Sequence, residues 1–275
     1  MQPVTGTSAK GSFPGSPGSR RPLEGFMATT QLPAYGVMSI PSQFTMSTSK
    51  YTDDELRERS VAAQEVVQEH GIPNLVEKCR SGTDAEKEKA AALLSFIATH
   101  DFICAGMITS AGGIAPLVAM LNAESGRGDE DHTIDMKEQA CKTIRDMCIG
   151  DKGNQKPIAL KGAAPPLLTI LSEKDHPWSI REAASEALAL LSMGVDGVEA
   201  PELIVEAGAV QLVHAVYKEP GCTELCKREI MKCLQNLATN RIGKEQMRSI
   251  GILQPREMDP LSDGFDGFDA LLMTH

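Results

Sequence analysis

The sequence has no apolar run near the roughly 18 residues that a membrane-crossing helix needs. No short apolar segment follows a basic start, so no secretory signal peptide is expected. Basic residues are in deficit: the net charge is −10 and the pI about 5.1, which argues against a general binder of nucleic acid or anionic membranes. Seven cysteines are an odd number and too few for a disulfide framework in 275 residues, so free thiols in a reducing compartment are expected. Signatures of catalysis are missing too. There is no G-x-x-x-x-G-K-[ST] phosphate loop, no H-E-x-x-H and no G-x-S-x-G. No enzyme, cofactor or metal is therefore expected. What is present is a 41% hydrophobic composition, ample for one or two packed domains.

Charge is unevenly spread. Residues 1–50 carry Lys10, Arg20, Arg21 and Lys50 against Glu24 alone, with six prolines and six glycines among many serines and threonines. Such a stretch cannot offset its ordering entropy with buried surface, so residues 1–50 are predicted to be a disordered extension. Its basic, acid-poor composition leaves an organelle transit peptide open beside the plain flexible arm. The expected location is the cytoplasm, with the nucleus also open.

From Tyr51 the apolar spacing becomes helical. Thr52 with Glu55, Thr83 with Glu86, Asp135 with Glu138 and Ser179 with Glu182 have the spacing of capping boxes. No alternating strand pattern competes, so an all-α body is predicted over 51–251. One phrase recurs: HGIPNLVEKC from His70, GGIAPLVAML from Gly112, GAAPPLLTIL from Gly162 and GAVQLVHAVY from Gly208, with a broken GILQP from Gly251, at spacings of 42, 50, 46 and 43 residues. A longer helix follows each full phrase. Its apolar stripe reads Ala90, Leu93, Leu94, Ile97 in the first unit and Ala140, Thr143, Ile144, Met147 in the second. Ala184, Ala187, Leu188, Leu191 and then Ile230, Cys233, Leu234, Leu237 continue the register. Each set lies on one helix face. Units of this size cannot bury their apolar faces alone and stack into a solenoid of about four units.

These residues resemble the armadillo repeat family: GAAPPLLTIL matches its Gly-Ala-x-Pro-x-Leu-Val-x-Leu-Leu phrase, and KCLQNLATN (Lys232–Asn240) matches the end of its third helix. The resemblance covers about residues 51–251 and implies a right-handed α-solenoid that binds a protein or peptide in a concave groove lined by the third helices. The family's ladder of asparagines falls on Phe96, Asp146, Leu190 and Asn236, and the position one turn earlier on Ala92, Lys142, Glu186 and Lys232. Only Asn236 keeps the amide, and no tryptophan stands at the earlier position. Import-cargo binding is therefore disfavoured, as is a uniformly basic groove, which Asp146 and Glu186 interrupt. Phe96 and Leu190 read instead as anchor points for a helix or apolar motif. The implied function is an adaptor or scaffold. The alternative is an exchange factor that clasps a nucleotide-binding lobe of a heat-shock chaperone.

Several residues invite other chemistry. The cysteines align with core positions; a metal site on Cys222, Cys226 and His214 can be drawn, but small-hydrophobe packing is preferred. His70 and His100 fall at helix ends, favourable beside the C-terminal dipole. The insert Ala123–Asp135 is acidic and reads as a solvated loop; it contains Arg127–Asp129, an RGD. Trp178 either staples a helix start or stands exposed. After Gly251 a fifth unit fails at Pro255 and Pro260, which is expected to leave the side beyond Leu234 and Leu237 uncovered. The tail, 252–275, ends LSDGFDGFDALLMTH, with Phe265, Phe268, Leu271 and Leu272 at helical spacing among aspartates. It reads as a cap, an external docking motif or an intramolecular ligand of the groove.

Overall fold

The computed structural model describes residues 52–124, 132–194 and 200–253. The extension over 1–50, the RGD and most of the acidic insert, and the tail beyond Leu253 lie outside the described residues. Within them the chain is all-α, with thirteen helices and no strand. The helices fall into units of three. The first unit is α1 (Asp53–His70), α2 (Ile72–Ser81) and α3 (Asp84–His100). The second is α4 (Phe102–Ser110), α5 (Ile114–Leu121) and α6 (Thr133–Gly150). The third is α7 (Gln155–Leu160), α8 (Ala164–Ser172) and α9 (Trp178–Leu191); the fourth is α10 (Ala200–Glu206), α11 (Ala209–Tyr217) and α12 (Glu224–Leu237). A lone α13 (Arg241–Ser249) begins a fifth.

Each turn into the recurring phrase uses one glycine in the left-handed region: Gly71, Gly112, Gly162, Gly208 and Gly251 have φ of +71 to +83°. That conformation costs other residues about 1 kcal/mol and glycine little, which is why the phrase keeps it. Pro73 sits in the first turn of α2 and Pro165 in that of α8, where no N–H is needed. The long helices α3, α6, α9 and α12 pack each on the next, and α2, α5, α8 and α11 form a parallel row. Between the rows lies one continuous core containing the apolar stripes read from the sequence. All seven cysteines are free and buried in it. Burial pushes the thiols of Cys79, Cys104, Cys148, Cys226 and Cys233 up to about 12, so they stay protonated and inert.

Four local expectations need correction. Thr52 and Thr83 form the capping boxes with Glu55 and Glu86. Asp135 and Ser179 do not. Helix α6 begins earlier, behind His132, and α9 begins at Trp178 behind Pro177, so both residues lie inside their helices and their glutamates are spent on neighbouring units. Trp178 neither staples from outside the helix nor stands free: the Arg181 guanidinium lies 3.9 Å over its ring. His100 ends α3 as expected, but its ring packs edge-on to Phe96 at 4.6 Å. Burial and then the Arg59 charge depress its pKa, so a charged imidazolium at the dipole is not its role. Finally, Leu234 and Leu237 are buried. Helix α13, which the expected failure at Gly251 left out, packs on α10 and α11 with Gly243 and Met247 buried and Arg241 and Glu245 paired on its outer side.

Candidate functional site

The position the resemblance assigns to ligand binding is the row of long helices. Ala92 and Phe96 come from α3, Lys142 and Asp146 from α6, Glu186 and Leu190 from α9, and Lys232 and Asn236 from α12, one pair per helix separated by one turn. The row brings all eight together in register. Their polar members, however, are already engaged. Asp146 is only 2% exposed, held by the Ser95 hydroxyl of α3 and by Arg145 Nε at 2.8 Å. Arg145 reaches across to Glu186 with Nη1 at 2.6 Å. Burial opposes the charge of Arg145, but the two carboxylates outweigh it and hold its pKa above the ordinary value. Lys142 pairs with Glu138 at 2.6 Å, and Lys232 with Glu229 at 2.9 Å. Asn236, the one retained ladder amide, donates from Nδ2 to the Ala189 carbonyl and to Ser192, both at 3.0 Å. Its donors bind the preceding helix.

A second polar column joins the units. Glu88 meets His132 Nδ1 at 3.2 Å; Glu138 accepts from the Ser179 hydroxyl at 2.7 Å; Glu182 accepts from the Thr223 hydroxyl at 2.6 Å. The three glutamates occupy one position of the long helix, and each partner opens the long helix of the next unit. Glu88, His132 and Asp135 also bring three metal-ligating atoms close together. Cys222 lies just before α12 and Cys226 in its first turn, and both are buried in the core.

Apolar side chains are left open where the polar ones are paired. Ile149 is 57% exposed and Met193 45%; Ile149 follows Asp146 by three residues on α6, and Met193 lies just beyond the end of α9. Phe96 and Leu190 are half-buried beside them. Sequence reasoning missed Arg145 and Ser95, which stand one residue before the ladder, and missed Ile149 and Met193. The signal for Arg145 was its opposite charge to Glu186 at a spacing of 41, the spacing that also separates Glu138 from Ser179 and Glu182 from Thr223.

Below pH 7 the shifted carboxylates and histidines act with one sign. Burial opposes ionisation of Glu138, but hydrogen bonds from Lys142 and Ser179 bring its pKa below 4.5, and Arg181 does the same for Glu219. Burial depresses His100 and His214 below 6.5. In every case the unfolded chain binds more protons than the folded one, so stability falls as pH falls. Urea midpoints are expected to be highest near pH 7, to decline from about pH 6.5 as the histidines protonate in the unfolded state, to drop further below 4.5, and to fall again above pH 8 as the buried thiols ionise in the unfolded state alone. A midpoint that rises between pH 7 and 5 contradicts this assignment.

No protein-family model matches the sequence, and the search of curated proteins finds no match. Solved structures do match. An engineered protein aligns at 20% identity and TM-score 0.60 over 83% of this chain and 92% of its own. A designed armadillo repeat protein in complex with the peptide (KR)4 aligns at 20% identity and TM-score 0.58 over 72% and 80%. A computationally designed armadillo repeat protein for modular peptide recognition aligns at 21% and 0.58 over 73% and 82%. The fold is therefore an armadillo-like helical repeat domain.

Proposed function

We propose that this chain is a non-catalytic protein-binding scaffold that takes an amphipathic helix or apolar motif along its row of long helices, acting in the cytoplasm, where seven unpaired thiols persist. The observation that carries the reading is the exposed Ile149 and Met193 and the half-buried Phe96 and Leu190 on, or just beyond, three successive long helices, beside polar groups that already satisfy one another. A ligand that offers apolar anchors gains by covering those side chains, whereas an extended backbone finds no free amide ladder to grip. The peptide complex and peptide-recognition design named for two armadillo neighbours support a protein or peptide ligand.

The test is Ile149→Asp with Met193→Asp, alongside Phe96→Asp with Leu190→Asp. The first pair is already solvated, so its melting temperature is expected to stay at the wild-type value while protein capture from native lysate weakens at least about tenfold, equivalent to about 1.4 kcal/mol. Unchanged capture by the first pair sinks the reading. Unfolding of the second pair alone shows only that Phe96 and Leu190 belong to the core. The exchange-factor alternative is decided separately, by whether the wild-type chain speeds nucleotide release from a heat-shock chaperone lobe.

A further inference from the structure

Each unit shows the next a fixed set of side chains, and the fourth unit changes that set. On the second helices Val76, Val118 and Leu168 are buried; the fourth occupant of the position, His214, is half-exposed. Cys79, Leu121 and Leu171 are buried; Tyr217 is half-exposed. On the long helices Ala91, Cys141 and Ser185 are buried; Met231 is half-exposed. The glutamate column changes sign. Where Glu138 and Glu182 each accept from the start of the following long helix and Glu88 lies against His132, the fourth unit carries Arg228, whose side chain is 60% exposed and paired with Glu229 on its own helix. Helix α13 takes the place of a fifth unit's first helix alone. Among the described residues nothing follows α11 and α12 in their own rows.

We propose that residues 261–275 of this chain dock as a short amphipathic helix on the face formed by His214, Tyr217, Arg228 and Met231, completing the fourth unit in place of a successor. Three observations select this occupant. First, charge is complementary: residues 209–250 carry seven lysines and arginines against four acidic residues in a chain of net charge −10, whereas 261–275 carries Asp263, Asp266 and Asp269 and no lysine or arginine. The switch from glutamate to Arg228 falls at the position where the occupant's first turn sits, which suits an acidic helix start. Second, the apolar face offered by Phe265, Phe268, Leu271 and Leu272 matches the half-exposed Tyr217 and Met231. Third, the reach is sufficient. Residues 254–260 span up to about 24 Å when extended, and α12 is about 21 Å long at 1.5 Å per residue. Pro255 and Pro260 favour that extended run over a continued helix.

The docking is tested in the full chain with Phe268→p-benzoylphenylalanine, irradiated and mapped by mass spectrometry. The expected product is an intramolecular adduct on a peptide from 209–235. Arg228→Glu with Met231→Ala, compared at an unchanged melting temperature, is expected to reduce its yield at least about fivefold. Adducts on α3, α6 or α9 place the tail on the row of long helices and overturn the proposal. Cross-linked dimers show that a second copy supplies the occupant, and they overturn it as well. So do an absence of adducts and a yield that the two substitutions leave unchanged.

Discussion

Arg181→Ala is expected to lower the free energy of unfolding by about 3–5 kcal/mol, the range for breaking one side of a buried ion pair. Arg181 is 2% exposed and has three tasks. Its Nε–H donates at 2.8 Å to the Leu171 carbonyl, one of the orphan acceptors at the end of α8. Its terminal nitrogens hold the Glu219 carboxylate beyond the end of α11. Its plane stacks on Trp178. Alanine leaves a buried carbonyl and a partly buried carboxylate without donors and opens a void beside an indole. Two companions separate these terms. Arg181→Lys keeps the charge but not the planar fork, and is expected to recover less than half of the loss. Arg181→Met fills the void without the charge, and is expected to destabilise less than alanine. Urea denaturation provides the values; a loss below about 1 kcal/mol for alanine removes Arg181 from this role.

Gly243→Ala is expected to be the second large effect. Alanine is the better helix former by about 1 kcal/mol, and Gly243 lies within α13, so propensity alone forecasts a more stable protein. Packing decides otherwise. A Cβ at this position meets the Leu237 carbonyl oxygen at 2.2 Å and its carbon at 3.0 Å, both backbone atoms that cannot rotate away. Helix α13 has to lift off the end of α12, which uncovers Met247 and Ile252. Overpacking of this kind costs about 1–3 kcal/mol, enough to outweigh propensity and to lower the melting temperature by several degrees. Gly251→Ala is the comparison: it has φ +79° and no atom within 4 Å, so it bears backbone strain alone and is expected to cost less. A melting temperature raised by Gly243→Ala refutes the packing argument.

Much of the fold was readable because its determinants repeat. One glycine and one apolar stripe per unit sufficed to place the long helices and to sort Cys148, Cys226 and Cys233 into the core. The caps at Thr52 and Thr83 were legible because nothing in space competes with them. The same local pattern misled at Asp135 and Ser179, since a glutamate three residues on serves the neighbouring unit as readily as its own helix start, and local spacing does not distinguish the two. The ladder positions fall on the long helices, yet the sequence did not show that Asp146 is sealed by Ser95 and Arg145 or that Asn236 turns to Ala189. Those contacts depend on how far one long helix is shifted along the next. Helix α13 was missed because RIGKEQMRS has only Ile242 and Met247 to mark an inward face.

The contacts from Glu88 to His132, from Glu138 to Ser179 and from Glu182 to Thr223 all run the same way, from a glutamate on one long helix to a polar partner at the beginning of the next. The array therefore has a grammar of growth. A duplicated third unit carries both the donor Ser179 and the acceptor Glu182, so it reads correctly against its own copy and against the fourth unit, and the solenoid can lengthen from within by tandem duplication. A duplicated fourth unit presents Arg228 to the Thr223 of its copy and breaks the rule. The fourth unit is in this sense a stop signal, and variation in the number of repeats is open to the interior of the array and closed at its end.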